Sequence, residues 1–209
     1  MNAFHRNKEF FKYSKRTQRI IQSEVDKGFT ILNQIDRPII SFFGSHLVKR
    51  NDTYFEHAQK MGKVIGKNEH AILTGGGTGI MEAANTGATQ ASAPSIGFRA
   101  ELLKWQHITK PIYTHTASFH FLFVRKFFMS IKSEALLFYP GGMGTLDELF
   151  EYATLMQTNI TDKVPIICVG KKYWEGLFKW MKKVVVQNDF LLRHSNLDFI
   201  QVTDSQKDL

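Results

Sequence analysis

The chain has 209 residues, 43% of them hydrophobic and 22% charged, with a formal net charge of +8. That length suits one full hydrophobic core, and no apolar run approaches the roughly eighteen residues of a membrane span. The single cysteine, Cys168 in "VPIICVG", excludes an internal disulfide and a cysteine-based metal cluster and reads as a small core residue.

In chain order, residues 5–34 predict one or two helices with Phe10, Phe11, Ile20, Ile21 and Val25 as apolar positions. They are strongly basic: Arg6, Lys8, Lys12, Lys15, Arg16 and Arg19 face only Glu9 before Gln22. The same stretch lacks the uninterrupted apolar run of a secretory signal, so a cytoplasmic location is expected. Next come a strand in "RPIISFFGS", a helix over Asn51–Asn68 with Phe55, Ala58, Met61, Gly62 and Ile65 at helical spacing, a strand in "HAILTGGG" and a helix over Ile80–Ala91. "PSIGFRAE" and "KPIYTHT" predict short strands around a looser segment containing Trp105. An aromatic helix over Phe119–Lys132, a strand in "EALLFYPGG", a helix over Leu146–Gln157 and a strand in "VPIICVG" follow. A helix over Tyr173–Asn188 and a last strand in "LDFIQVTDS" complete the chain. The basic excess in "KKYWEGLFKWMKK", like that at the start, reads as the solvated face of a terminal helix, with an anionic ligand as the alternative. No zinc-finger, RRM or KH pattern supports nucleic acid as a partner.

Short strands this apolar, alternating with helices, predict a mostly parallel sheet with helices on both faces, the doubly wound Rossmann-like α/β fold. The division expected is a basic helical extension over residues 1–36 and a Rossmann-like domain over residues 37–209 that carries any ligand site. In such folds ligands bind at the carboxyl ends of the strands. Both glycine clusters of the chain, "LTGGGTGIMEAANTGA" and "YPGGMGTLDELFE", fall at such ends.

A strand that turns directly into a helix leaves first-turn N–H groups unpaired, backed by the positive end of the helix dipole, and so suits an anion. Gly75, Gly76, Gly77 and Gly79 at one turn, and Gly141, Gly142 and Gly144 at the other, would let a sugar phosphate approach the backbone. Gly44 and Ser45 end the first strand and would face the nucleoside, with Thr145 and Asn85 as further candidate contacts. Neither cluster fits G-x-G-x-x-G, and "GKVIGKN" does not fit the Walker pattern, which points to a mononucleotide rather than NAD or a hydrolysed ATP. No metal or cofactor is implied. Glu148 has two readings: the far end of a T-x-x-E capping box begun by Thr145, or a carboxylate presented to a ribose or a developing cation. Arg125 and Lys126, in the middle of "FVRKFFMS", either snorkel at a helix edge or meet an anion.

"PGGMGTLDE" fits P-G-G-x-G-T-x-x-E, and with "GGGTGIMEAANTGA" and "VRK" it resembles the Lonely Guy (LOG) family of cytokinin riboside monophosphate phosphoribohydrolases, long mislabelled as possible lysine decarboxylases. The likeness covers roughly Pro38–Asp204. It implies a Rossmann-like fold, a homodimer, and hydrolysis of the N-glycosidic bond of an adenine-type nucleoside monophosphate to free base and ribose 5-phosphate. By position, the family's catalytic glutamate and arginine correspond to Glu148 and Arg125, with Lys126 beside them. Two departures stand out: "FLFVRK" replaces the Met-His that plant-type members carry before Arg-Lys, and the extension over residues 1–36 is absent from compact members. The chain looks closer to a longer bacterial branch, with AMP as the alternative substrate. No pyridoxal-lysine context supports decarboxylation. The competing functional class is a nucleotide-binding sensor or carrier that does not split its ligand.

Overall fold

The computed structural model describes residues 12–106, 108, 111–187 and 198–204. Helices and strands alternate as α1 (Ser14–Asn33), β1 (Ile39–Phe43), α2 (Thr53–Lys67), β2 (Ala71–Thr74), α3 (Ile80–Gln90), β3 (Ser95–Ala100) and β4 (His115–Phe119). They continue as α4 (Leu122–Ser130), β5 (Ser133–Phe138), α5 (Met143–Gln157), β6 (Ile166–Val169), α6 (Lys171–Trp180) and β7 (Ile200–Thr203). A 3-10 turn over Glu101–Gln106 occupies the segment around Trp105, and a π-helical turn over Met181–Val186 extends α6. Phe10, Phe11 and the predicted helix end at Asn188 lie outside the described residues.

The strands form a sheet in the order β4-β3-β2-β1-β5-β6-β7, with every pair parallel. This is the Rossmann-like doubly wound arrangement. The order reverses between β1 and β5, so the connections leaving these neighbours diverge to opposite faces and open a crevice between them. Side chains alternate across the sheet as the pleat requires. Ile39, Phe43, Leu73, Phe98, Leu136 and Phe138 point to the face covered by α1, α4, α5 and α6. Ile40, Phe42, Ile72, Leu137 and Tyr139 point to the face covered by α2 and α3. Both faces being covered explains why the strands read as continuous apolar runs.

Around β4 the boundaries differ from the sequence expectation. The strand predicted in "KPIYTHT" begins only at His115 and runs into Phe119, because β4 is an edge strand: only Ala117 and Phe119 bury their side chains. The aromatic helix therefore opens at Leu122 rather than at Phe119. Among the described residues no helix is long and apolar enough to cross a membrane.

Helices α2 and α3 meet backbone to backbone. A Cβ built on Gly87 would lie 2.1 Å from Gln59 O, and one on Gly62 would lie 2.3 Å from Ala84 O. Backbone atoms at both contacts leave no flexible group to yield. Gly87→Ala is therefore expected to cost about 3 kcal/mol through overpacking, even after the helical gain of about 1 kcal/mol from replacing glycine. Its urea-unfolding midpoint against that of the parent checks this.

Candidate active site

The crevice at the β1/β5 switch point holds a cavity of about 290 Å³. One wall is the turn after β1. Gly44 lets this turn sit on α3, since a Cβ there would lie 2.8 Å from the Ile80 side chain. The Ser45 hydroxyl accepts from Leu47 N at 3.0 Å and shapes the turn, and Ser45 N donates to Pro140 O at 3.0 Å, joining it to the loop after β5.

The opposite wall is the start of α5. The helix begins at Met143 with Gly142 as its N-cap and no side-chain cap. Thr145 and Leu146 N–H groups close on Gly142 O, whereas the first-turn amides ahead of them have no intrahelical acceptor. The predicted capping box is thus absent: Thr145 lies inside the first turn and Glu148 in the second, too far along to reach the N-cap amide. Thr145 is buried beneath Gly141, where a Cβ would lie 2.2 Å from its hydroxyl oxygen. At Gly142 and Gly144, by contrast, a Cβ would meet nothing within 4 Å among the described residues. These glycines leave open space over a helix N-terminus, which packing within the chain does not require.

On the floor of the cavity, Arg125 from α4 faces Glu148 from α5, with Nη2 and Oε1 3.8 Å apart and the side chains only 13% and 14% exposed. Arg125 is anchored from behind by donating its Nε–H to Phe98 O at 2.9 Å. It passes directly over Gly75, where a Cβ would lie 2.2 Å from Nη2. Burial pushes the Glu148 carboxyl up to about 7 despite the opposing pull of Arg125. A carboxyl raised by burial toward neutrality suits a group that must both take up and release a proton.

The cavity gathers Gly44, Ser45, Gly75, Gly142, Gly144 and Thr145 around Arg125 and Glu148. The remaining candidates lie outside its lining. Gly76, at φ +68°, packs on Arg99; Gly77 is buried; Gly79, at φ +65°, lets α3 start against Ser45 O, to which Ile80 N donates at 3.1 Å. Asn85 is wholly buried and clasps the β2 turn through Thr74, Ser95 and Ile96 O rather than facing a ligand. Lys126 turns away from the cavity to pair with Asp147 at 3.0 Å and with Glu151. Burial alone would lower its ammonium, but these carboxylates outweigh that and hold it above its ordinary value. Gly141 supports the wall through Thr145 without lining it.

No local pattern marks the rest of the apolar lining, in which Leu47, Met81, Leu103, Met129 and Met143 join Phe42 and Phe43. Leu47 and Met143 are 74% and 81% exposed and flank the mouth. A larger hollow of about 700 Å³ lies at the amino ends of β5 and β6, around Lys132–Glu134 and Asn159–Pro165. It is at the wrong end of the strands for a ligand site of this fold and contains no comparable acid–guanidinium pair. Among the described residues no cluster of His, Cys, Asp and Glu could hold a metal ion.

The profile of a family described as "Possible lysine decarboxylase" matches residues 81–209. The chain is 27% identical over 162 residues to a probable cytokinin riboside 5'-monophosphate phosphoribohydrolase of Oryza sativa subsp. japonica, covering 77% of this chain and 64% of that protein. It is 27% identical over 160 residues to a cytokinin riboside 5'-monophosphate phosphoribohydrolase of Arabidopsis thaliana, covering 76% and 74% respectively. Among solved structures, the molybdenum cofactor binding protein of Rippkaea orientalis superposes with a TM-score of 0.59 at 20% identity, covering 83% of this chain and 93% of that one. At that identity the likeness concerns the fold alone.

Proposed function

Given that the chain belongs to the family described as "Possible lysine decarboxylase", we propose that it hydrolyses the N-glycosidic bond of an adenine-type nucleoside 5'-monophosphate, a cytokinin riboside monophosphate or AMP. The products are free base and ribose 5-phosphate. The observation that carries this reading is the buried Glu148 set against Arg125, 3.8 Å away, beneath a glycine-walled helix N-terminus. No lysine lines the cavity among the described residues, so it offers no amine for the decarboxylase chemistry of the family's description.

In this reading the phosphate sits over the open amides of α5 beside Gly142 and Gly144, where dipole and backbone donors favour an anion. The ribose lies against Glu148, and the base points to the apolar mouth at Leu47 and Met143. Cleavage passes through an oxocarbenium-like state, whose positive charge a carboxylate stabilises. The C1'–N bond breaks with its electron pair going to the base, a water oxygen bonds to C1', and the proton lost by that water goes to the base, with Glu148 orienting the water and relaying the proton. Arg125 offers its charge to the phosphate or to the departing base. A homodimer accompanies this reading, for which the outward face of α4 offers Leu122, Phe123 and Phe127, each about half exposed.

Incubation with AMP and, separately, with isopentenyladenosine monophosphate, followed by chromatography, tests the proposal. Free base and ribose 5-phosphate are expected from at least one. Saturable binding with the nucleotide recovered intact would instead establish a non-catalytic binding protein, and the relative rates identify the preferred base.

A further inference from the structure

Helix α1 precedes the region matched by the family profile, and nothing in the reaction above uses it. Its C-terminal half, from Glu24 onward, lies along α4, pointing the same way, and is fastened at both ends of that stretch. At the far end Lys132, just beyond α4, donates to the carbonyls of Leu32 at 2.7 Å and Ile35 at 2.5 Å. Midway, Phe29 packs edge-on against Phe128 with centroids 5.0 Å apart, and Gly28 brings the α1 backbone onto the same ring. At the near end Glu24, only 4% exposed, accepts from the backbone N–H groups of His120 and, at 3.2 Å, Phe121.

Those amides stand at the entrance of α4, whose N-cap residue Phe121 has no side-chain cap of its own. A buried carboxylate is costly unless donors surround it, and a helix N-terminus supplies both donors and a favourable dipole. Phe121 O in turn accepts from Arg125 N at 3.2 Å. Two hydrogen bonds that share one residue, Phe121, therefore link the Glu24 carboxylate to the backbone of Arg125. We propose that Glu24 is a positioning residue: by capping α4 from the N-terminal helix it sets where Arg125 stands relative to Glu148. The kinetic consequence rests on the hydrolase reading; the cap itself does not.

The test compares Glu24→Ala, Glu24→Gln and Arg125→Ala with the Glu24→Ala/Arg125→Ala double variant. In Glu24→Ala the amides of His120 and Phe121 should exchange faster with deuterium, with Glu24→Gln, which keeps one acceptor, nearer the parent. Base release should fall about tenfold or more in kcat, since small misplacements of a catalytic group are expensive, with KM changed less. The same change should cost nothing further when Arg125 is already alanine. The acid limb of the pH profile should also rise: Arg125 and Lys126 pull the Glu148 carboxyl down while burial, Asp147 and Glu151 push it up, so a retreating Arg125 lets it climb. Mere loss of stability would not move that limb. Parent-like kcat and pH limb despite freed amides, or an equal loss with Arg125 absent, overturns the proposal. Should Glu24→Ala fail to fold, Glu24→Asp draws the acceptor back by one methylene, and the same limb shift and dependence on Arg125 are required of it. If the parent releases no base, the hydrolase reading falls alone. Calorimetric AMP affinity then judges the strut: it should weaken with Glu24→Ala only where Arg125 is present, and equal affinities overturn it.

Discussion

Glu148→Gln is expected to slow base release at least a hundredfold while making the folded protein more stable above neutral pH. The kinetic loss follows from removing the group that steadies the oxocarbenium charge and relays the proton, contributions of that size being usual for a positioned carboxylate. The stability gain follows from the same burial that prepares the site. Burial raises the Glu148 carboxyl from an ordinary 4.5 to about 7, so between those values the folded state binds more protons than the unfolded chain and stability falls as pH rises. The favourable contribution is complete below about 4.5 and is lost by the time the pH passes about 7. Glutamine carries no such charge. The variant should match the parent near pH 4.5 and exceed it at pH 8 by up to roughly 3 kcal/mol, less whatever the 14% exposure of the side chain relieves. Denaturant unfolding at both pH values, beside the chromatographic assay, checks the pair of effects. Parent-like turnover would reduce Glu148 to a helix residue of no catalytic consequence.

Gly75→Ala should separate activity from stability in the opposite sense. The new methyl would lie 2.2 Å from Arg125 Nη2 and 2.8 Å from Met81 Sδ, the far ends of flexible side chains that can swing aside. Folding should change by about 1 kcal/mol or less. The guanidinium, however, can swing only by leaving Glu148 and straining its bond to Phe98 O. Turnover should fall on the order of a hundredfold, and the Glu148 limb of the pH–rate profile should shift above 7, because the cation that opposes burial has retreated. Parent-like turnover across the pH range would show that the Arg125 position is not critical.

Most of the sheet was legible because its strands are covered on both faces, so that "IISFF" and "AILT" read as unbroken apolar runs. The bounds of β4 were not, because an edge strand buries only alternate residues and "HTASF" is largely polar. The glycine walls and the Arg125–Glu148 pair stood out through residue types unusual in their setting: cations inside an aromatic helix, and glycines packed between strand and helix. The start of α5 was misjudged for a local reason. T-x-x-E imitates a capping box, whereas Gly142 in extended backbone starts the helix earlier and places Glu148 one turn deeper. The placement of Lys126 and Asn85 depended on partners distant in the chain, Asp147 and Glu151 for one, Ser95 and the β2 turn for the other, and no local pattern encodes such pairs.

The glycine-mediated seating of α2 on α3 bears on how a nucleotide could enter. Two helices joined main chain to main chain, without a cushion of side chains, move as one slab, and the loops at Gly44–Ser45 and Gly75–Gly79 are bolted to that slab through Ile80. One jaw of the crevice is therefore stationary. Breathing of the entrance is then left to the other jaw, the α4–α5 side, which meets α1 and β1 through aromatic side chains rather than backbone.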